Sequence, residues 1–246
     1  MSHPCSSYRW QGDYVSWEEL QLLPDDPWLA NTRRQLTEHW PKITMTSEEK
    51  MKTTALLLLW LSKANIAGDV AEAGVWRGGH ALFMKFAADH LSYRFSKRSR
   101  RVWLLDSFHG FGYENTGVDE VFNRVNNSAD GWLPVIALFR GLNMLDSRVI
   151  FLRGFYEDSL PLVPNFIRFA LLRVDCDMYS SIVQARRRGP RSMRKTPNEE
   201  NVGDVWWQKT MESNVAKSSF CLEQANMKVR AADTWCTDDC HPACCI

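Results

Sequence analysis

The sequence predicts a doubly wound α/β fold with a parallel central sheet. Short apolar segments alternate with segments whose apolar residues recur at helical spacing, which is typical of βαβ units with helices on both faces. Glycine-rich turns and acidic residues follow these segments, at the sheet edge where such folds bind ligands. At 246 residues, 45% of them hydrophobic, the chain can bury one core of this size. The predicted strands are residues 69–75, 102–106, 149–152 and 169–175.

Composition narrows the classes of function. The net charge of +1 argues against a general nucleic-acid or anionic-membrane surface. The longest apolar run, residues 55–61, is too short to span a bilayer, and the first 13 residues lack the apolar segment of a secretory signal. We therefore expect a soluble, cytoplasmic protein. We expect no nucleic-acid or membrane partner, and a homo-oligomer is left open.

The first predicted βαβ unit follows an irregular N-terminal segment. Residues 1–45 show no sustained period and are expected to form an arm or lid. Thr46 and Glu49 have the spacing of a capping box, which predicts a helix that starts there and stops at Gly68. The strand that follows breaks into a glycine-rich turn, and a helix with one apolar face comes next.

The alternation then continues to residue 175. A basic loop (93–101) leads to the second strand, and a glycine-containing loop leads to a helical stretch at 132–142. The third strand ends in a turn at 153–155, and the fourth strand completes the predicted sheet.

The pattern changes after residue 181, and the sequence predicts three regions. An arm (1–45) precedes a core (46–182) that contains the four predicted strands. The remainder (183–246) shows no sustained apolar period apart from a short predicted helix at 204–211. We expect this tail to be poorly ordered, with the C-terminal strands of the sheet missing or replaced. The fourth strand would then be an exposed edge.

The tail is unusual in charge and in cysteine content. It carries six basic residues within positions 186–195, and five of the seven cysteines lie at or after position 221. A solvated basic segment is the ordinary interpretation, with nuclear import or RNA binding as a minor alternative. A changed reading frame or exon near residue 182 fits the abrupt change better. The cysteine spacing lacks the paired C-x-x-C of a zinc ribbon, so we expect unpaired thiols rather than a zinc site.

Three features together indicate a site for a nucleoside cofactor. Glycines after the first strand let the chain turn sharply into a helix, with N–H groups open to an anionic group. An aspartate ends the second strand, where a carboxylate can accept both ribose hydroxyls. A Gly-Phe pair after the third strand can offer a flat apolar surface to an adenine. Taken alone, the glycines could form only a turn and the aspartate could cap a helix. The candidate cofactor-binding residues are Glu72, Gly74, Gly78, Gly79, Asp106, Ser107, Gly154 and Phe155.

The glycine spacing narrows the choice of nucleoside. From Gly74 the turn reads G-x-x-x-G-G, which is neither the G-x-G-x-x-G of dinucleotide folds nor the G-x-x-x-x-G-K-[ST] of ATP-binding loops. An NAD(P)-dependent oxidoreductase is therefore disfavoured. Glu72 would face a phosphate badly, but it suits a cofactor with an amino group and a sulfonium, such as S-adenosylmethionine.

Four segments at the predicted strands and their turns read IAGDVAEAGVWRGG (66–79), VWLLDSFHGF (102–111), GFYEDSLP (154–161) and LRVDCDMYSS (172–181). Together they resemble the macrocin O-methyltransferase family, whose members are class I, S-adenosylmethionine-dependent sugar O-methyltransferases with a Rossmann-like sheet. The resemblance covers about residues 45–182 and agrees with the fold and the cofactor predicted from the residues.

The resemblance implies methyl transfer from S-adenosylmethionine to a sugar or other vicinal hydroxyl, assisted by Mg²⁺. It makes Asp175 the catalytic metal ligand, and Asp177 either a second ligand or a residue that contacts the ligands. Oxygen ligands suit Mg²⁺, and a bound cation stabilises the alkoxide that must form. The alternative for this pair is a helix N-cap.

The sequence departs from the family after the fourth strand. Family members carry a further acidic pair roughly 30 residues beyond the position of Asp175, and here no Asp-Asp follows an apolar strand in that window. The alternative to an active enzyme is therefore a catalytically inactive member, truncated or altered in frame, that retains part of the cofactor pocket.

Overall fold

The computed structural model describes residues 15–16, 22–39, 42–112, 115–124, 131–188, 205–208 and 228–229. Within these residues the strands are β1 Val15–Ser16, β2 Asp69–Ala73, β3 Val102–Asp106, β4 Val149–Arg153, β5 Phe169–Val174, β6 Val205–Gln208 and β7 Lys228–Val229. The α-helices are α1 Pro27–His39, α2 Glu48–Lys63, α3 Gly79–Arg94, α4 Leu133–Gly141, α5 Tyr156–Ser159 and α6 Tyr179–Arg188. Short 3-10 helices cover Gly117–Arg124 and Leu160–Leu162.

The described strands build a five-stranded sheet in the order β4-β3-β2-β5-β6, and each neighbouring pair is parallel. β1 and β7 form a separate antiparallel pair. From β2 the chain builds outward through β3 to β4, and it then crosses back to place β5 on the other side of β2. The order therefore reverses between β2 and β5, which is where open α/β sheets bind ligands. The predicted doubly wound α/β fold is confirmed.

Side chains of the inner strands alternate between two hydrophobic clusters, one on each face of the sheet. Val70 and Leu104 belong to the cluster that includes the apolar residues of α2 and α3. Ala71 and Leu105 belong to the opposite cluster, together with Ile182 of α6. Because both faces are covered, β2 and β5 are buried at every position, including the charged residues Asp69, Glu72 and Arg173.

Both ends of α2 differ from the prediction. Ser47 is the N-cap instead of Thr46, because its extended backbone lets the side chain accept the N–H three residues later at 3.3 Å. The helix ends at Lys63, before Gly68. Gly68 has φ 134° and leads into β2, where a Cβ would lie 2.7 Å from a backbone nitrogen of β5.

The region after β5 corrects part of the tail prediction. α6 crosses the predicted boundary at residue 182. β6, placed in a predicted helix, pairs in parallel with β5 from Leu171↔Val205 to Val174↔Gln208. The predicted helix at 204–211 and the predicted open edge at β5 are therefore wrong. The β-branched and aromatic residues of β6 favour an extended backbone once a partner strand is present. The basic residues beyond α6 and the cysteines of the tail lie outside the described residues.

The predicted arm contains helix α1, which packs against α2 and α3. Asp26 caps α1 by accepting the N–H groups of Trp28 and Leu29 at 3.0 and 3.1 Å. Its other oxygen pairs with His90 and Arg94 of α3. These contacts fix the start of α1 to the core. None of the helices described here has the length and apolar character that crossing a membrane requires.

Candidate functional site

A cleft opens at the carboxyl ends of β2, β3, β4 and β5, where the strand order reverses. It encloses about 950 Å³, counting the space at its open mouth. The wall consists of the turns after these four strands and of residues 43–46 before α2.

Eight of the ten predicted site residues meet on this wall: Glu72, Gly74, Asp106, Ser107, Gly154, Phe155, Asp175 and Asp177. Gly78 and Gly79 do not line the cleft, although they belong to the same turn as Gly74. A Cβ at Gly78 would lie 2.6 Å from Val135 Cγ1, and one at Gly79 would lie 2.5 Å from the carbonyl oxygen of Ile43. These two glycines therefore pack the turn against its neighbours, and their contact with a cofactor stays a prediction.

Gly74 brings the turn after β2 against the turn after β5. Its φ of 88° lies in the left-handed region. A Cβ there would lie 2.4 Å from the carbonyl oxygen of Asp175. The N–H of Asp175 donates to the carbonyl oxygen of Ala73 at 2.8 Å. Glycine is required here because two backbone segments that carry site residues approach this closely.

Asp106 holds the glycine-rich turn through backbone N–H groups. Its Oδ2 accepts from Val75 at 2.6 Å and from Trp76 at 3.1 Å, and its Oδ1 accepts from Phe108 at 2.8 Å. Burial raises the pKa of Asp106, and these three donors act in the opposite direction. A carboxylate has about four acceptor positions. Three of these positions are used within the protein, and the contact of Asp106 with a ribose stays a prediction.

Ser107 and Phe155 form another part of the wall. The Ser107 hydroxyl accepts the N–H of His109 at 3.1 Å and donates to the carbonyl oxygen of Gly110 at 2.9 Å, so it shapes the turn after β3. Phe155 follows Gly154 after β4 and is 40% exposed. The flat apolar surface predicted for an adenine is therefore present at the cleft.

A buried charge group, Glu72, Arg173 and Asp175, lies where β2 and β5 meet the cleft. Glu72 and Arg173 are register partners, and their side chains form an ion pair in which each is 1% exposed. Arg173 Nη2 also donates to Asp175 Oδ2 and, at 3.1 Å, to Thr46 Oγ1. His80 Nδ1 lies 2.8 Å from Glu72 Oε1. With two carboxylates and one guanidinium, the group has a net charge of −1.

The second oxygen of Glu72 has no hydrogen-bond donor within the described part of the chain. Glu72 lines the cleft. A buried acceptor without a donor is costly, and native structures seldom leave one unsatisfied. The cleft therefore presents an acceptor to the donor group of a ligand.

His80 is buried in α3 behind this group. Its Nε2 lies 3.0 Å from Thr54 Oγ1, and its Nδ1 faces Glu72. Burial lowers the pKa of His80, the charge of Arg173 lowers it further, and Glu72 opposes both. The neutral ring thus links the carboxylate to α2.

We expect the free energy of unfolding to decrease as the pH falls below about 6.5, the ordinary pKa of histidine in an unfolded chain. Below that pH the unfolded chain binds a proton that folded His80 excludes, so stability falls by up to about 1.4 kcal/mol per pH unit. Urea titrations of the wild type and of His80→Gln measure this slope. His109→Gln, at an exposed histidine, is the control and should keep the wild-type slope. A wild-type slope in His80→Gln would contradict the assignment.

Asp175 and Asp177 both line the cleft at the end of β5. The first N–H groups of α6, from Tyr179 and Ser180, donate to Asp119 at 2.7 and 2.9 Å. A distant aspartate therefore caps this helix, which is the role that the alternative interpretation gave to the Asp175 and Asp177 pair.

Three polar residues that line the cleft were not predicted as site residues: Thr46, His80 and Arg173. Each had been considered only as part of a helix or a strand. The sequence did contain a signal for the ion pair, because Glu72 and Arg173 are opposite charges inside largely apolar strands. Once both faces of a sheet are buried, each such charge needs a partner.

A parallel sheet with a glycine turn at its switch point, and a carboxylate at the end of the neighbouring strand, is typical of α/β proteins that bind nucleoside cofactors. The sequence model of the family described as Macrocin-O-methyltransferase (TylF) matches residues 15–188. The chain belongs to this family.

Curated relatives and one solved structure are similar over part of the chain. The 8-demethyl-8-(2,3-dimethoxy-alpha-L-rhamnosyl)-tetracenomycin-C 4'-O-methyltransferase of Streptomyces olivaceus is 31% identical over 62% of this chain and 59% of its own length. Mycinamicin III 3''-O-methyltransferase of Micromonospora griseorubida is 32% identical over 60% of each chain. The structure of the O-methyltransferase NovP is 30% identical, with a TM-score of 0.50, over 58% of this chain and 59% of that one. The chain thus spans about 60% of the length of these curated relatives.

Proposed function

We propose that this chain binds S-adenosylmethionine in the cleft and is an O-methyltransferase for a sugar or other vicinal hydroxyl of a small molecule. Membership of the macrocin O-methyltransferase family supports the reaction class. The single observation that supports the cofactor most directly is Glu72 Oε2, a buried carboxylate oxygen without a donor among the described residues. The ammonium group of S-adenosylmethionine is a donor of opposite charge, whereas a phosphate would be repelled.

The other residues of the wall suit the remaining parts of this cofactor. Asp106 keeps the turn after β2 in place and accepts one ribose hydroxyl. Phe155 offers its exposed ring to the adenine, and Ser107 fixes the turn beside it. When bound, S-adenosylmethionine would supply the methyl group for the acceptor oxygen, with S-adenosylhomocysteine and a proton released to solvent as the other products.

The second part of the proposal is that Mg²⁺ assists methyl transfer. Asp175 and Asp177 would hold the ion, because Mg²⁺ sites completed by substrate and water use only one or two protein carboxylates. A cation there would stabilise the alkoxide of the acceptor. Across the described residues, no group of three His, Cys, Asp or Glu side chains comes together for a metal, and Asp175 also accepts from Arg173. The metal proposal therefore rests on two carboxylates and is tested separately from the cofactor.

If the metal part is right, EDTA or Asp175→Asn should each lower methyl transfer by about 100-fold or more, because the alkoxide loses its counter-charge. Asp177→Asn should have a smaller effect. Binding of S-adenosylmethionine, measured by calorimetry, should change by less than about twofold with EDTA and in Asp177→Asn. Asp158→Asn, at an exposed carboxylate of α5, is the control. Full turnover in EDTA would remove the metal and leave the cofactor assignment intact.

The activity is tested by following formation of S-adenosylhomocysteine in the presence of glycosylated acceptors. Mycinamicin III and the rhamnosyl-tetracenomycin named for the two relatives are suitable probes. Acceptor-dependent product supports the proposal. Cofactor binding without turnover on these acceptors would favour the alternative, a catalytically inactive member that keeps the pocket. Three further expectations stay predictions. They are a cytoplasmic location, the absence of nucleic-acid and membrane partners, and assembly with further copies of the chain.

A further inference from the structure

We propose that Arg173 is a positioning residue for the cofactor, which fixes the carboxylate of Glu72 so that its Oε2 is offered to the cleft. The inference rests on the proposed function, since it assigns how the acceptor for the S-adenosylmethionine ammonium group is held.

The contacts of Glu72 are asymmetric. Arg173 Nη1 donates to Oε1, and His80 Nδ1 lies 2.8 Å from the same oxygen. Oε2 has no donor among the residues that the structure describes. One oxygen is thus tied into the core, while the other, on a residue that lines the cleft, is left without a described donor. This division depends on a partner that reaches Glu72 from β5.

The guanidinium of Arg173 is itself fixed by a second set of contacts. Its Nη2 donates to Asp175 Oδ2 at the end of β5 and to Thr46 Oγ1 before α2, the latter at 3.1 Å. A planar guanidinium held through both terminal nitrogens by three separate segments has little freedom to rotate. Lysine would keep the charge, but a single ammonium nitrogen does not reproduce this fork.

Arg173 also supplies the positive charge of the buried charge group. Its side chain is 1% exposed and lies between two carboxylates in the centre of an apolar sheet. Without the guanidinium, Glu72 and Asp175 would be like charges that repel each other in a medium of low dielectric constant. Glu72 would then turn away from Asp175, which removes the acceptor from the cleft.

The test is a double-mutant cycle on the affinity for S-adenosylmethionine, measured by calorimetry. Glu72→Gln and Arg173→Met should each weaken binding by about tenfold or more, and the double variant should bind about as weakly as the weaker single variant. This non-additivity is the signature of a residue that acts through Glu72. A residue needed only for folding would give losses that multiply. Arg173→Lys should recover part of the affinity lost in Arg173→Met.

Arg148→Met is the matched control, because Arg148 forms ion pairs with Asp89 and Asp146 away from the cleft. It should leave cofactor affinity unchanged. If Arg173→Met does not fold, Arg173→Lys with and without Glu72→Gln completes the same cycle. Losses of affinity that multiply in the double variant, or wild-type affinity in Arg173→Met, would overturn this inference. Either result would leave the proposed function intact. A wild-type protein that does not bind S-adenosylmethionine would overturn the proposed function and this inference with it.

Discussion

Gly74→Ala is expected to destabilise the protein by about 3–5 kcal/mol, at the upper end of single-substitution effects. Alanine at a φ of 88° carries backbone strain of about 1–3 kcal/mol. The new Cβ would also lie 2.4 Å from the carbonyl oxygen of Asp175. Neither segment moves easily, because β2 and β5 are paired in the centre of the sheet. Urea titration measures the loss.

Gly117→Ala separates the two causes. Gly117 has φ 62°, but a Cβ there would lie within 4 Å of no atom in the described part of the chain. This variant should lose only the strain of the left-handed backbone, about 1 kcal/mol. Equal losses at Gly74 and Gly117 would show that the close approach of the β2 and β5 turns does not contribute.

Asp106→Ala is expected to weaken binding of S-adenosylmethionine by about 10–100-fold. Hydrogen bonds to a charged acceptor contribute about 1.5–3 kcal/mol, and this carboxylate holds Val75 and Trp76 in place besides accepting a ribose hydroxyl in the proposed complex. Calorimetry on the folded variant measures the effect.

Asp69→Ala is the control for Asp106→Ala. Asp69 lies at the opposite end of β2 and pairs with Arg101 and Trp103, away from the cleft. It should lower stability while leaving cofactor affinity within about twofold. Unchanged affinity in Asp106→Ala would contradict its place in the cofactor site.

The fold was predictable because its signals are local. Buried parallel strands are short and apolar, and the glycine turn and Asp106 directly follow two of them. The close packing around Gly78 and Gly79 was not predictable in the same way. It depends on Val135 and on Ile43, which the fold brings to the turn from distant positions.

The errors at the C-terminal side have a similar cause. The four residues of β6 are compatible with either helix or strand, and the pairing with β5 decides between them. The hydrogen-bond partners of Asp106 could not be predicted either, because they are backbone N–H groups, which every residue except proline has. Arg173 was detectable as a charge inside an apolar strand, but its contacts with Glu72 and Thr46 follow from register and packing.

The central claim is that the cleft between the ends of β2 and β5 binds S-adenosylmethionine. Calorimetric titration of the wild-type protein with S-adenosylmethionine, and separately with NADH, tests it most directly. We expect a micromolar dissociation constant for S-adenosylmethionine, about −8 kcal/mol, and no binding of NADH. Tight binding of NADH with no response to S-adenosylmethionine would contradict the claim.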